Sequence, residues 1–479
     1  MIDFSQIEKY RENNRIEAKK AMGGLPKSIW ETYSAFANTL GGIILLGVEE
    51  YPDKSLHVVN LPDPEQLVEE FWELVNEPRQ ASVNILSDQN VRIETVNGAR
   101  IVVITVPRAQ RMDRPVYVDG NPLTGTYLRD GEGDCRCTRE EVQSMLRDAS
   151  IQTVDMKLLV RMGLEVLDFE TVHRYRASMW DCRPDHVWET LEDDEFLYKL
   201  GAVGKGADGQ LHPTAGGLLM FGYEYEIVRE FPNYFLDYRE QMEKGTQLTY
   251  RLVSSSGDWS GNLYDFYVRV CDRLVRGIRM PSGRGCQENA PVHRALREAL
   301  ANSVINADYR GRQGLVIVKR PELITIANPG GFRIGIEAAR NGGISDPRNA
   351  VLVKMFHLVN VGRRTGSGIP GIYAAWREQG WVMPSIKEQF KPDRITVSLS
   401  LGQPERKSHP MNGLPVKNLP YREAVLAYLT DHISVTSLEL SEALHLRLPR
   451  VRSILRSMIA EGIVVAHGGG ASRTYKLKA

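Results

Sequence analysis

Close to the N-terminus, the stretch "ENNRIEAKK" sets Glu12 and Glu17 five residues apart, with Lys19 two beyond the second acid. Side chains alternate along a strand, so Glu17 and Lys19 share one face and Ile16 and Ala18 the other. Two readings are open: an ordinary solvated strand face, or the edge of a site for a divalent metal. Carboxylate oxygens suit hard Mg²⁺ or Mn²⁺, which orient a phosphate and activate water. A second group lies in "VHRALREALANSVINADYRG", where Glu298, Asn302 and Asn306 recur every four residues on one helical face. Leu296, Leu300 and Val304 form a buried stripe on another. Next, "GLVIVKRPELITIANPGGF" reads as a hairpin delivering Asn328, Gly330 and Gly331, and "GRRTGSGIPGIYAAW" places Gly362, Gly366 and Gly368 ahead of a helix. Glycines let backbone N–H groups approach phosphates, and helix N-termini attract anions. A third group is basic: from Arg447 onward seven Lys and Arg residues stand against one acid, including Arg450, Arg452, Arg456, Arg473 and Lys476.

These groups need scaffolds. At 479 residues the chain is too long for one ordinary core, and two to four domains are expected. With 42% hydrophobic and 25% charged residues the composition is that of a soluble globular protein. Lys+Arg and Asp+Glu both total 60, so a nucleic-acid partner must be met by a local patch rather than by bulk charge. Apolar runs such as "GGIILLGV" fall far short of the ~20 residues of a membrane helix. The charged N-terminus has no apolar signal core, and five cysteines make no disulfide framework, so a cytoplasmic location is expected. "CRC", at Cys135 and Cys137, reads as loop. "LPKSIWETYSAFANTL" puts Ile29, Tyr33, Phe36, Ala37 and Leu40 on one helical stripe, with Gly41 and Gly42 after its end. "IILLGV" and "ARIVVITVP" read as buried strands. Near the C-terminus, Val451, Ile454, Leu455, Met458 and Ile459 form a helical stripe. The strands "GIVVA" and "SRTYKL" follow, joined by the glycine-rich "HGGGA". That arrangement reads as a winged helix-turn-helix whose arginines and Lys476 face DNA. "GQPERKSHPMNGLPVKNLP" is a linker.

The first ~130 residues resemble the Schlafen-like AlbA domain of bacterial proteins, through the E-x-x-x-x-E-x-K strand, "SAFANTLGG" and "IILLGVEE". The resemblance implies nucleic-acid binding. Some Schlafen members are metal-dependent nucleases that cut RNA through three acids; Glu12 and Glu17 match the first two and Glu49 is the best match for the third, with Glu50 beside it. Lys19 would then neutralise developing charge, and Asp134 would lie outside the cluster. Arg108, Arg111 and Arg114 in "PRAQRMDRP" offer a local basic stretch for phosphates.

The E-x-x-x-N helix and the ordered glycines resemble a GHKL-type ATPase. On that resemblance Glu298 orients and deprotonates water and Asn302 holds Mg²⁺ against the triphosphate. The family's adenine-reading Asp is Asn328 here, and its usual His is Asn306. Residues 205–402, with "HPTAGGLLMFG", "ISDPRNAVLVKMF" and "RRTGSGI", resemble the C-terminal part of AlbA-domain proteins related to RecG or described as transcriptional regulators.

The expected architecture is a multidomain α/β (α+β) protein. It comprises an AlbA-like module (1–148), a helical connector (149–204), an α/β segment (205–283), a GHKL-like sandwich (284–402), a linker (403–419) and a winged helix (420–479). The expected function is that of a cytoplasmic regulator binding ATP, Mg²⁺ and DNA, with RNA as a second nucleic-acid partner and a homo-oligomer compatible with the pattern. Alternatives are a Schlafen-like metal-dependent nuclease, with Mn²⁺ as its metal and a role in defence, and a degenerate interaction scaffold. ATP hydrolysis and nucleic-acid cleavage both stay open as activities.

Overall fold

The computed structural model describes residues 3–241, 248–278, 291–362 and 368–402. Beyond these it describes 425, 428–429, 435–443, 446, 448–460, 463–467 and 474–477. Two compact units divide the chain, Met1–Gly402 and Gln403–Ala479, and the expected linker lies outside the described residues.

The N-terminal module is built on a four-stranded sheet in the order Ile16–Lys19, Gly42–Leu46, Ala99–Val106, Val91–Val96. The first pair is parallel and the other two are antiparallel. Its central strands are covered on both faces, which is why they read as continuous apolar runs. Ile44, Leu46, Val102 and Ile104 pack with Tyr33 and Phe36 of helix Ile29–Asn38 and Phe71 of helix Pro64–Val75. The alternate residues Leu45, Ile101 and Val103 turn to the other face and meet Ile7, Val48 and Leu56. The first helix ends at Asn38, short of the expected Leu40. There the Gly41 N–H donates to Phe36 O (2.9 Å), and Gly41, at φ 73°, passes so close to Val106 O that a Cβ would lie 2.8 Å away. Cys135 is not in a loop. It lies in strand Gly133–Arg136, paired with Tyr127–Asp130 across a turn that Gly131 makes at φ 61°.

The larger core runs from Leu159 to Leu399. It lies around a six-stranded sheet ordered Tyr250–Val253, Leu236–Glu240, Leu315–Lys319, Leu323–Pro329, Asp393–Ser400, Ser385–Phe390. All neighbours are antiparallel except Leu236–Glu240 with Leu315–Lys319. This one sheet runs across position 283/284, so the segments on either side of it build a single layer. The expected hairpin is Leu315–Lys319 and Leu323–Pro329. Helix Pro291–Asn306 packs on the sheet and against helices Leu263–Val275 and Gly368–Gln379. Leu296, Leu300 and Val304 are fully buried. Full burial of each such side chain is worth about 1.5–3 kcal/mol, which fixes which face of the helix is left for Glu298, Asn302 and Asn306.

In the second unit, helices Ser437–Ala443 and Leu448–Ala460 accompany a three-stranded antiparallel sheet ordered Val435–Thr436, Thr474–Leu477, Val464–His467. A capping box starts the first helix: Thr436 N donates to Glu439 Oε2 (2.7 Å) and Glu439 N donates to Thr436 Oγ1 (3.2 Å). Val451, Leu455 and Met458 are buried, with Ile454 and Ile459 packed against them. Among the described residues, no helix is long and apolar enough to cross a membrane.

Candidate functional site

Helix Pro291–Asn306, helix Gly368–Gln379 and strand Leu323–Pro329 enclose a cavity of about 180 Å³. Asn302, Asn306, Asn328, Gly331, Gly362 and Gly368 line it, with Ile326, Ile372 and Ile395 among its apolar walls. Six residues singled out for a nucleotide thus meet at one place. Asn328 is 5% exposed, and its Oδ1 is buried without a hydrogen-bond partner among the described residues. An orphaned buried acceptor costs on the order of 1–3 kcal/mol, so a ligand that donates to it recovers that amount. Asn302 makes no side-chain hydrogen bond among the described residues. A Cβ on Gly368 would collide with Asn302 Nδ2 and lie 2.9 Å from Glu298 Oε1, so the bare glycine brings the helix start against both side chains.

Three expected members behave differently. The Asn306 amide donates to Asn302 O (3.0 Å) and its Oδ1 accepts from Arg348 N (3.3 Å), so it braces the helix end rather than facing a ligand freely. Gly330 lines a neighbouring cleft instead of the cavity, because its φ of 89° carries the chain past the Arg348 guanidinium. Gly366 lies outside the described residues.

Arg348 was not expected at the site. It donates to both carboxylate oxygens of Asp148 (3.0 and 2.7 Å), to Asn306 O (2.6 Å) and to Gly331 O (3.0 Å). Asp148 lies in the last turn of helix Arg139–Ala149, so one side chain ties the N-terminal module to the cavity wall. Burial alone would raise the Asp148 carboxyl, but Arg348, with Arg333 and Arg114 near it, holds it below the usual range. Burial alone would lower the Arg348 guanidinium, and the Asp148 carboxylate more than offsets that. The basic stretch expected to face phosphates is largely spent on the same seam. Arg108 donates to Glu388 Oε2 (2.6 Å), Glu388 Oε1 (2.9 Å) and Phe332 O (3.0 Å). Arg111 pairs with Asp346 and donates to Asp148 O (2.8 Å).

The N-terminal acids are not gathered as three ligands. Glu17 and Lys19 do share a strand face, and they pair with each other (2.9 Å). Glu17 also pairs with Arg129 (2.7 Å), which is 1% exposed and pairs in turn with Asp134 (2.8 Å). Asp134, expected outside the group, is therefore part of it, and it accepts from Thr32 Oγ1 (2.6 Å) as well. Glu12 accepts from Ala18 N (3.0 Å). Burial raises its carboxyl, and the charges of Glu17 and Glu50 add to the rise. Glu50, not Glu49, is thus the third acid that Glu12 feels. Glu49 turns to Lys20 (3.0 Å) at the surface. Among the described residues, no three Asp, Glu, His or Cys side chains are arranged to hold a metal. The sequence pointed to the acids but not to Arg129, a lone arginine more than a hundred residues away with no spacing to mark it.

In the C-terminal unit Arg450, Arg452, Arg456 and Lys476 are exposed; Arg473 lies outside the described residues.

Fold and cavity define a mixed α/β protein in which a small sheet module is bolted by arginines onto a six-stranded sheet layer. Residues 12–138 match the family "Schlafen, AlbA_2", and residues 320–399 match the family "Putative ATP-dependent DNA helicase recG C-terminal". Residues 143–237 match a domain of unknown function, DUF8451. The chain thus combines a Schlafen AlbA_2 region near its N-terminus with a RecG-related region further on. Among solved structures it is similar to the DIP2311 protein from Corynebacterium diphtheriae, at 16% identity and a TM-score of 0.39, over 97% of this chain and 95% of that one. It is also similar to the N-terminal domain of a RecG-related protein from Nitrosomonas europaea, described as a putative ATP-dependent DNA helicase. That match has 31% identity and a TM-score of 0.22, over 29% of this chain and 95% of that one. A comparison with curated proteins finds no significant match.

Proposed function

We propose that the protein is an ATP-binding, nucleic-acid-binding regulator, with the nucleotide in the cavity between helices Pro291–Asn306 and Gly368–Gln379. One observation carries the reading: the buried, unpartnered Oδ1 of Asn328 on the cavity wall. It is an acceptor with no donor, which an adenine amino group would satisfy. The residues present fit the rest of the group. Asn302, whose side chain makes no hydrogen bond among the described residues, is the side chain that would hold Mg²⁺, and Glu298, against Gly368, is the carboxylate that would take a proton from water. Bound Mg²⁺ would supply neutralisation of the phosphate charge. The exposed arginines of helix Leu448–Ala460 and Lys476 of the adjoining sheet support duplex DNA as the partner of the second unit.

Titration calorimetry with ATP and Mg²⁺ tests the reading. Wild type binds; Asn328→Ala loses about five- to a hundredfold in affinity, the worth of one buried hydrogen bond. Asn302→Ala loses the Mg²⁺ dependence, and Gly368→Ala, whose Cβ displaces Asn302, resembles it. Glu298→Ala keeps affinity and loses whatever turnover wild type has. No heat and no thermal shift with any adenine nucleotide would sink the proposal.

A further inference from the structure

Between the N-terminal module and the six-stranded sheet lies a cleft of about 960 Å³, distinct from the nucleotide cavity although Gly331 and Phe332 border both. Its wall carries six arginines and six Asp and Glu residues, and nearly all of the arginines are committed. Arg108 holds Glu388 with both terminal nitrogens, Arg111 holds Asp346, Arg147 holds Asp308 (3.2 Å) and Arg310 holds Glu230. Arg114 is the exception. Among the described residues it makes no ion pair, its Nε is buried without an acceptor, and its one side-chain hydrogen bond, to Phe332 O, is long at 3.4 Å. A guanidinium has five donors, and leaving them unmade beside other cations is costly. Three carboxylates are close enough to act on it: Glu388, taken by Arg108, Asp148, taken by Arg348, and Asp393 on the same wall. Lys391 is a second cation on the wall; it is exposed and makes no ion pair among the described residues.

We propose that Arg114 and Lys391 form a site for a phosphate group in this cleft, separate from the nucleotide cavity. A planar fork of donors lining one cleft with a point charge is suited to a tetrahedral oxyanion, and the volume lies at the upper end of the range for small-molecule pockets, room for more than the phosphate itself. Two features near the site reinforce the preference for an anion. Burial pulls the Arg114 guanidinium down to about 10, with Arg108 adding to the fall, and an arriving anion relieves both. Burial also pushes Asp393, on the same wall, up to about 7, with Asp148, Asp308 and Glu388 adding and Arg348 opposing, so at neutral pH it gives up much of its opposing charge.

The test uses the full chain carrying Asn302→Ala, Arg452→Ala and Arg456→Ala in Mg²⁺-free buffer, so that the contributions of the nucleotide cavity and of the second unit are reduced. Inorganic phosphate is followed by its protection against thermal unfolding at constant ionic strength, and a fluorescein-labelled twelve-residue oligothymidylate by anisotropy. Arg114→Gln should weaken the probe that binds by about tenfold or more, the worth of lost charge-assisted hydrogen bonds, and Arg114→Lys should restore part of it. Arg312→Gln, an exposed residue paired with Glu140 on the same wall, should change it less than about twofold. Protection by phosphate alone identifies a small phosphorylated ligand, and tighter binding of the oligonucleotide identifies a strand; either supports the site. Three results would each overturn it: neither probe binding, binding indifferent to Arg114→Gln, or polyglutamate competing as well as phosphate.

Discussion

Asp148→Asn is the sharpest probe of the seam. The substitution keeps the volume of the side chain and removes the charge that faces Arg348 through two hydrogen bonds. The two side chains are 21% and 7% exposed, so little water can replace the lost partner. Leaving one member of a buried pair uncompensated costs about 3–5 kcal/mol. Arg348 keeps the carbonyls of Asn306 and Gly331, which places the expected loss at the lower end, about 3 kcal/mol. At roughly 2–4 °C per kcal/mol in a large domain, the melting temperature of the Met1–Gly402 unit should fall by about 6 °C or more at pH 7. The pH dependence adds a second signature. Because the Asp148 carboxyl is held below its unfolded value, its stabilisation is present above the unfolded pKa and lost as pH falls through the folded one. The gap between wild type and variant should therefore close in acid, below about pH 4. Differential scanning fluorimetry across pH, with Arg348→Met and the double variant completing a cycle, measures all of this. A variant that melts within about 1 °C of wild type at pH 7, or a gap that ignores pH, would refute the reasoning.

Three further outcomes are expected. Asp393→Asn should match wild type below about pH 4 and pull ahead of it progressively up to pH 7. The native carboxyl, at about 7 against 3.8, holds a proton that the unfolded chain releases between those two values, so wild type loses ~4 kcal/mol relative to the variant across that window, and melting at pH 3.5, pH 5 and pH 8 checks it. Glu17→Ala should lower the melting temperature by several degrees without any metal, because it strips Arg129 of one of its two carboxylates, and Asp134→Ala should do likewise. If wild type instead gains stability from Mn²⁺ and Glu17→Ala loses only that gain, the acids are metal ligands and the ion-pair account fails. Arg452→Ala and Arg456→Ala should each weaken duplex DNA binding and reduce the salt slope by about one if the contact is to phosphate; unchanged affinity and slope in anisotropy titrations would place DNA elsewhere.

Local chemistry was legible in the sequence, and partnership across long distances was not. Leu296, Leu300 and Val304 announce their buried face by helical spacing, and that face dictates where Glu298, Asn302 and Asn306 point. The runs around Ile44 and Val103 announce strands covered on both sides. Gly368 could be read as a close approach to something, but only the packed helices show that Asn302 and Glu298 are what it approaches. Long-range charge pairing carries no such signal. Arg108, Arg111 and Arg114 look alike in "PRAQRMDRP", yet the first two close the seam and the third is left over, a distinction made by Glu388 and Asp346 more than two hundred residues downstream. The same holds for Glu17, which spacing leaves open as a solvated strand face or the edge of a metal site and Arg129 makes a member of a neutralised network.

That division of labour bears on how a nucleotide could be felt outside its cavity. The strap Gly330–Phe332 has two sides. Toward the nucleotide it lends Gly331 and Phe332 to the cavity wall. Toward the N-terminal module it is tied by Arg348 at Gly331 O, by Arg108 at Phe332 O and by Glu388, which accepts from Phe332 N (2.7 Å). A ligand shifts a conformational balance only by the difference in its affinity for the two states. Here a displacement of the strap on binding must lengthen hydrogen bonds to Arg108 and Arg348, so the cost falls on the seam rather than on the sheet. ATP should accordingly change amide hydrogen exchange in residues 108–114 and in helix Arg139–Ala149, neither of which lines the cavity. Asp148→Asn, with Arg348 released, should uncouple that helix while leaving the response of strand Leu323–Pro329 in place. Exchange that changes only around the cavity, in wild type as in the variant, would mean that the strap binds the nucleotide and transmits nothing.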